Sequence, residues 1–121
     1  MSKRILVVED QEDNRRILRD LLVASGYELV EATTGEEGLA LAERETPDLI
    51  LMDIQLPGLD GYEVTRRVKA NPALKHIPII AVTSYALSGD DQKAFAAGCD
   101  GYVTKPFSPR QLLGKIREYL K

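Results

Sequence analysis

Apolar runs recur along the chain at residues 5–8 (Ile-Leu-Val-Val), 49–52 (Leu-Ile-Leu-Met) and 79–82 (Ile-Ile-Ala-Val), and polar residues follow each of them. Unbroken apolarity over so short a span predicts strands buried on both faces, as in the centre of a parallel sheet. Residues 27–32 differ, because Glu28 and Glu31 interrupt Leu29 and Val30, which predicts an edge strand. Tyr102-Val103-Thr104 supplies one more short run. Between the runs the pattern changes to a helical period, and strands alternating with helices predict an α/β domain with both sheet faces covered.

The helices carry start and stop signals. Ile17, Leu18, Leu21 and Leu22 form one stripe, with Gly26 where a left-handed stop would fall. Thr34 and Glu37 have capping-box spacing ahead of an Ala- and Leu-rich stretch that ends before Pro47. Ser108 and Pro109 place an N-cap before a first-turn proline, and Leu112, Leu113, Ile116, Tyr119 and Leu120 then line one face. Residues 88–98 make a weaker helix, with little besides alanines and Phe95 to bury.

The polar residues after the runs matter more than the runs themselves. Glu9 and Asp10 follow the first, Asp53 the run at 49–52, Thr83-Ser84 the run at 79–82, and Lys105-Pro106 the last. In an open parallel sheet the carboxyl ends of the strands form one rim, and ligands bind outside it. Acids, a hydroxyl and an ammonium are therefore expected in one cleft.

Composition narrows the partners. A length of 121 residues suits one domain, and a net charge of −3 gives no general attraction to nucleic acid. Cys99 is the lone cysteine, which excludes a disulfide framework or cysteine metal site and suits a reducing cytoplasm. Lys3-Arg4 precedes an apolar run, but acids from Glu9 onward keep it shorter than an export signal or a membrane span needs.

Carboxylates brought together raise one another's pKa unless a cation intervenes. Mg²⁺ resolves that conflict through oxygen ligands, with Asp10 and Asp53 as direct ligands, Glu9 acting directly or through water, and a backbone carbonyl and a phosphate oxygen filling the shell. Thr83 offers a hydroxyl donor and Lys105 a point charge, and both suit a phosphoryl group. Phosphoryl transfer depends mostly on positioning and charge neutralisation. No serine, cysteine or histidine is placed as nucleophile, His76 falling between helix and strand, so Asp53 takes that role.

These motifs resemble a family. Val8-Glu9-Asp10, Leu51-Met52-Asp53, Leu56-Pro57-Gly58-Leu59-Asp60-Gly61, Val82-Thr83-Ser84 and Lys105-Pro106 have the order and spacing of a two-component response-regulator receiver domain, closest to single-domain receivers of the CheY and DivK kind. The resemblance implies a flavodoxin/CheY-like fold: a doubly wound five-stranded parallel sheet, order 2-1-3-4-5, flanked by five helices and filling residues 1–121 with no effector domain. It implies that Asp53 takes a phosphoryl group from a histidine kinase or histidine phosphotransfer protein. It further implies Mg²⁺ held by Glu9, Asp10, Asp53 and the Gln55 carbonyl, with Thr83 and Lys105 on the phosphoryl oxygens. Tyr102 matches a switch aromatic, and Lys105-Pro106 a bond that is cis in the family. Glu9 stands where many members have Asp, which lengthens one arm of the site, and Tyr85 is bulky enough to slow access to Asp53.

Phosphorylation exchanges one carboxylate charge for about two, which would draw Thr83 inward and let Tyr102 rotate into the vacated space. Output is then expected at the surface of the fourth helix, fifth strand and fifth helix, where Arg110, Lys115, Arg117 and Lys121 make the last helix basic. Each residue alone has a plainer reading: Asp10, Glu12 and Asp13 as helix caps, Thr83 as a strand residue, Lys105 as a solvated lysine and Tyr102 as edge packing. The meeting of the acids, Thr83 and Lys105 on one rim argues against coincidence, whereas for Tyr102 edge packing is the better reading until the resemblance reverses that order. A flavin carrier is opposed by the acids of residues 9–14, where a flavin phosphate would sit. An aspartyl phosphatase would need to turn over an external substrate, for which the sequence offers no cap domain and no obvious substrate pocket, and a constitutive docking module would not need Asp53, Thr83 and Lys105.

Overall fold

Strands and helices alternate as β1 (Arg4–Val8), α1 (Glu12–Ala24), β2 (Glu28–Ala32), α2 (Gly35–Glu45), β3 (Leu49–Asp53), α3 (Gly61–Ala70), β4 (Ile79–Thr83), α4 (Asp90–Ala97), β5 (Gly101–Thr104) and α5 (Pro109–Tyr119). The structure is a computed structural model that describes residues 3–83, 90–105 and 108–120, with backbone alone at 90 and 91. Ser84, Tyr85, the first residues of the helix expected at 88–98, the Lys105-Pro106 bond and Lys121 therefore lie outside the described residues.

The strands form one parallel sheet in the order β2-β1-β3-β4-β5, as expected. Every residue of β3 and β4 is buried, which explains the apolar runs at 49–52 and 79–82, with only the closing Asp53 and Thr83 polar. Side chains alternate across the sheet. Leu6, Val8, Ile50, Met52 and Ile79 pack with Leu41, Ala42, Val64 and Val68 of α2 and α3, while Ile5, Val7, Leu49, Leu51 and Ile80 pack with Leu18, Leu22, Leu112 and Ile116 of α1 and α5.

The caps form largely as expected. The Thr34 hydroxyl accepts from the Glu37 amide at 3.1 Å, and Glu37 reaches back to the Thr33 amide at 2.7 Å, one residue short of Thr34. The Ser108 hydroxyl accepts from the Gln111 amide at 3.1 Å, and Gly26 adopts φ +92. Two apolar residues depart from expectation. Ile17 is 58% exposed because α1 meets the sheet along Leu18 and Leu22, and Phe95 is 50% exposed because α4 turns Ala94 and Ala97 inward.

Gly61 fixes α3 against the end of β3. A methyl group there would overlap the Asp53 carbonyl oxygen and lie 2.8 Å from Ile54 Cα, so α3 has to move before any side chain fits. Gly61→Ala is expected to destabilise the fold by about 2 kcal/mol in urea denaturation, the scale of local overpacking.

Candidate functional site

Strand register brings the acids together. Val8 pairs with Met52, so Glu9 and Asp53, one step further along β1 and β3, are neighbours. Asp53 pairs with Val82 and Thr83 with Thr104, which puts Lys105 just beyond, its amide donating to the Thr83 carbonyl at 2.6 Å. Oxygens of Glu9, Asp10 and Asp53 lie within 4.8 Å of one another. Glu9, Asp53 and Thr83 are only 1%, 5% and 2% exposed, whereas Asp10 is half-buried.

Buried acids need compensation, and Lys105 supplies it. Its ammonium donates to Glu9 Oε1 at 2.8 Å and stands 3.8 Å from Asp53 Oδ2. The Gln11 amide donates to Glu9 Oε2 at 3.1 Å, and the Gln55 amide to Asp53 Oδ1 at 3.0 Å. Burial, then the hydrogen bond with Glu9 and its charge, raise the Asp53 carboxyl from 3.8 to about 7 against the pull of Lys105. Burial pushes Glu9 upward too, but hydrogen bonds with Asp53, Lys105 and the Gln11 amide outweigh it and hold Glu9 below 4.5. Glu9 thus keeps its charge while Asp53 holds a proton into the neutral range. Three oxygen donors around too little positive charge fit a hard divalent cation such as Mg²⁺.

The family model for the response regulator receiver domain matches residues 5–117. The chain belongs to this family. The receiver domain is 47% identical over 120 residues to the polar-differentiation response regulator DivK of Brucella ovis, a match covering 99% of this chain and 98% of that protein. Its fold superposes on the receiver domain of sensor histidine kinase PA1611 from Pseudomonas aeruginosa, solved with a magnesium ion coordinated in the active site cleft, with TM-score 0.92, 36% identity and coverage of 99% and 98%. Chemotaxis protein CheY4 of Vibrio cholerae matches with TM-score 0.92, 29% identity and coverage of 98% and 99%. The receiver domain therefore serves phosphorylation-switched two-component signalling and is not a metabolic enzyme. Receivers work with histidine kinases or phosphotransfer proteins, and among the described residues no helix is long and apolar enough to cross a membrane.

Glu9, Asp10, Asp53, Thr83 and Lys105 share one rim, with Gln55 two residues beyond Asp53, whereas Tyr102 lies within β5, paired with Ala81. Cys99 is buried beside Thr65, His76 is exposed, and neither reaches the site. Sequence reasoning missed Arg15. Its Nη1 donates to the carbonyls of Glu9 at 3.0 Å and Asp10 at 3.2 Å, and its Nε lies 3.7 Å from Glu31 Oε1. The one signal was an arginine among the acids at the start of α1, which reads equally well as a solvated charge.

Proposed function

We propose that Asp53 is the phosphoacceptor of this receiver domain, that Glu9, Asp10, Asp53 and the Gln55 carbonyl form its Mg²⁺ site, and that Thr83 and Lys105 bind the phosphoryl oxygens. The observation that carries this reading is the place of Asp53: buried at the end of a central strand, beside Glu9, and 3.8 Å from the Lys105 ammonium. An Asp53 oxygen attacks the phosphorus of a phosphohistidine donor. The P–O bond forms as the P–N bond breaks, and the imidazole leaves with the electron pair and takes a proton. Water later cleaves the acyl phosphate, returning the carboxylate and inorganic phosphate, so the domain catalyses its own phosphorylation and dephosphorylation. When bound, Mg²⁺ would neutralise the negative charge that gathers there and favour the ionised Asp53. Lys105 would give up Glu9 to meet the incoming oxygens.

The signal would leave through α4, β5 and α5 to a protein target, with Thr83 and Tyr102 as the switch pair. Two contacts of Tyr102 support this reading: it packs against the core that holds Ala81 and Ala94, and it lines a groove of about 420 Å³ with Val103, Arg110, Gly114 and Lys115. A rotation of Tyr102 would therefore change the groove. The free thiol Cys99 suits a cytoplasmic setting.

The test is intact mass after incubation with acetyl phosphate and Mg²⁺, alongside a chelator control and Asp53→Asn. One labile phosphoryl adduct, lost in both controls, is expected. An adduct that persists on Asp53→Asn would assign the acceptor elsewhere.

A further inference from the structure

We propose that Arg15 is a positioning residue for the metal site, holding the loop of Glu9 and Asp10 by its backbone so that their carboxylates meet Asp53. The inference rests on the Mg²⁺ site proposed above. Partly buried carbonyls at the end of a strand need donors. The Arg15 side chain satisfies two in succession, its Nη1 donating to the Glu9 and Asp10 carbonyls at 3.0 and 3.2 Å, while its amide makes the first helical bond of α1 to the Gln11 carbonyl at 3.0 Å. The Glu9 amide donates to the Ala32 carbonyl at 3.0 Å, so Glu9 is fixed from both sides.

Asp10 has less support. Among the described residues its carboxylate takes no hydrogen bond or ion pair, so its place depends on its backbone, and the Asp10 carbonyl is held by Arg15. Arg15 is itself anchored. Its side chain is 14% exposed, its Nε faces Glu31, and Arg19 grips both Glu31 oxygens at 2.8 Å. Glu31 belongs to β2, whose Glu31 pairs in register with Val7 of β1, so the clamp ties loop, helix and sheet together. Charge alone cannot explain the arrangement, since a guanidinium beside the acids repels a divalent cation.

Arg15→Lys separates the two effects, because it keeps the charge and loses the planar fork. Mg²⁺ binding without any phosphodonor, followed by calorimetry, is expected to weaken about tenfold, the scale seen when a group that orients a metal ligand is lost. The thermal midpoint should stay near that of the wild type, and saturating Mg²⁺ should restore the wild-type rate of phosphorylation, which a general structural defect would not do. Glu31→Gln loosens Arg15 without touching the loop and should weaken Mg²⁺ in the same direction but less; it decides the matter if Arg15→Lys does not fold. Mg²⁺ affinity within about twofold of wild type in the folded variant would overturn the role of Arg15 alone. Wild-type protein that binds no Mg²⁺ would overturn the metal site, and this inference with it.

Discussion

Metal-free Asp53→Asn is expected to be more stable than the wild type at pH 8, by about 2 kcal/mol, although it should accept no phosphoryl group. The Asp53 carboxyl titrates near 3.8 when unfolded and near 7 when folded, so the unfolded chain releases the proton first. A raised folded pKa means that the contribution of Asp53 is favourable below the unfolded value and is lost as pH rises toward 7. Above that the fold carries a buried carboxylate beside Glu9. A shift of this size corresponds to at most about 4 kcal/mol, and sharing a proton with Glu9 reduces what Asp53 alone contributes. Asparagine keeps an oxygen for the Gln55 amide and removes the charge. Urea denaturation with a chelator should show the gap at pH 8 and lose most of it at pH 5. A gap equal at both pH values would mean that packing, not charge, separates the two proteins.

That trade explains why the site was easier to read in the sequence than its internal pairing. Continuous apolar runs identified β1, β3 and β4, since strands buried on both faces are mostly apolar, and the polar residues that close the runs, Glu9, Asp53 and Thr83, marked the rim. The helical pattern singled out α1, α2, α4 and α5 but passed over α3, whose face is interrupted by Thr65. That hydroxyl is buried and donates to the Gly61 carbonyl at 2.8 Å, so a polar letter in the sequence is a satisfied core residue in the fold. Ile17 and Phe95 failed in the other direction, because periodicity ranks residues by hydropathy and cannot say how wide a contact the sheet offers. The Glu9–Lys105 pair spans almost the whole chain and depends on the register of four strands. The same holds for Arg15, which acts through backbone carbonyls, and a carbonyl leaves no trace in the identity of its residue.

Lys105→Met should have the opposite effect on stability, and it should slow the chemistry without abolishing it. Removing the ammonium leaves Glu9 and Asp53 crowded in a buried site without the cation at 2.8 Å from Glu9 Oε1. Breaking such a pair costs about 3–5 kcal/mol in a fully buried setting, and with Lys105 itself 20% exposed a loss of about 2 kcal/mol at pH 8 is the expectation. Glu9 sets the pH dependence. Its folded pKa is depressed, so its contribution is present above the unfolded value of 4.5 and disappears as pH falls through the folded one; the deficit of Lys105→Met should shrink in the same interval. Phosphorylation by acetyl phosphate should slow by about a hundredfold, the scale for losing one group aimed at developing charge. The double variant Lys105→Met/Asp53→Asn should lose less stability than Lys105→Met does from the wild type, because one neutral partner relieves the crowding. If the deficit is instead equal at pH 8 and at a pH well below 4.5, then the aliphatic stem of Lys105, and not its charge, is what the fold needs.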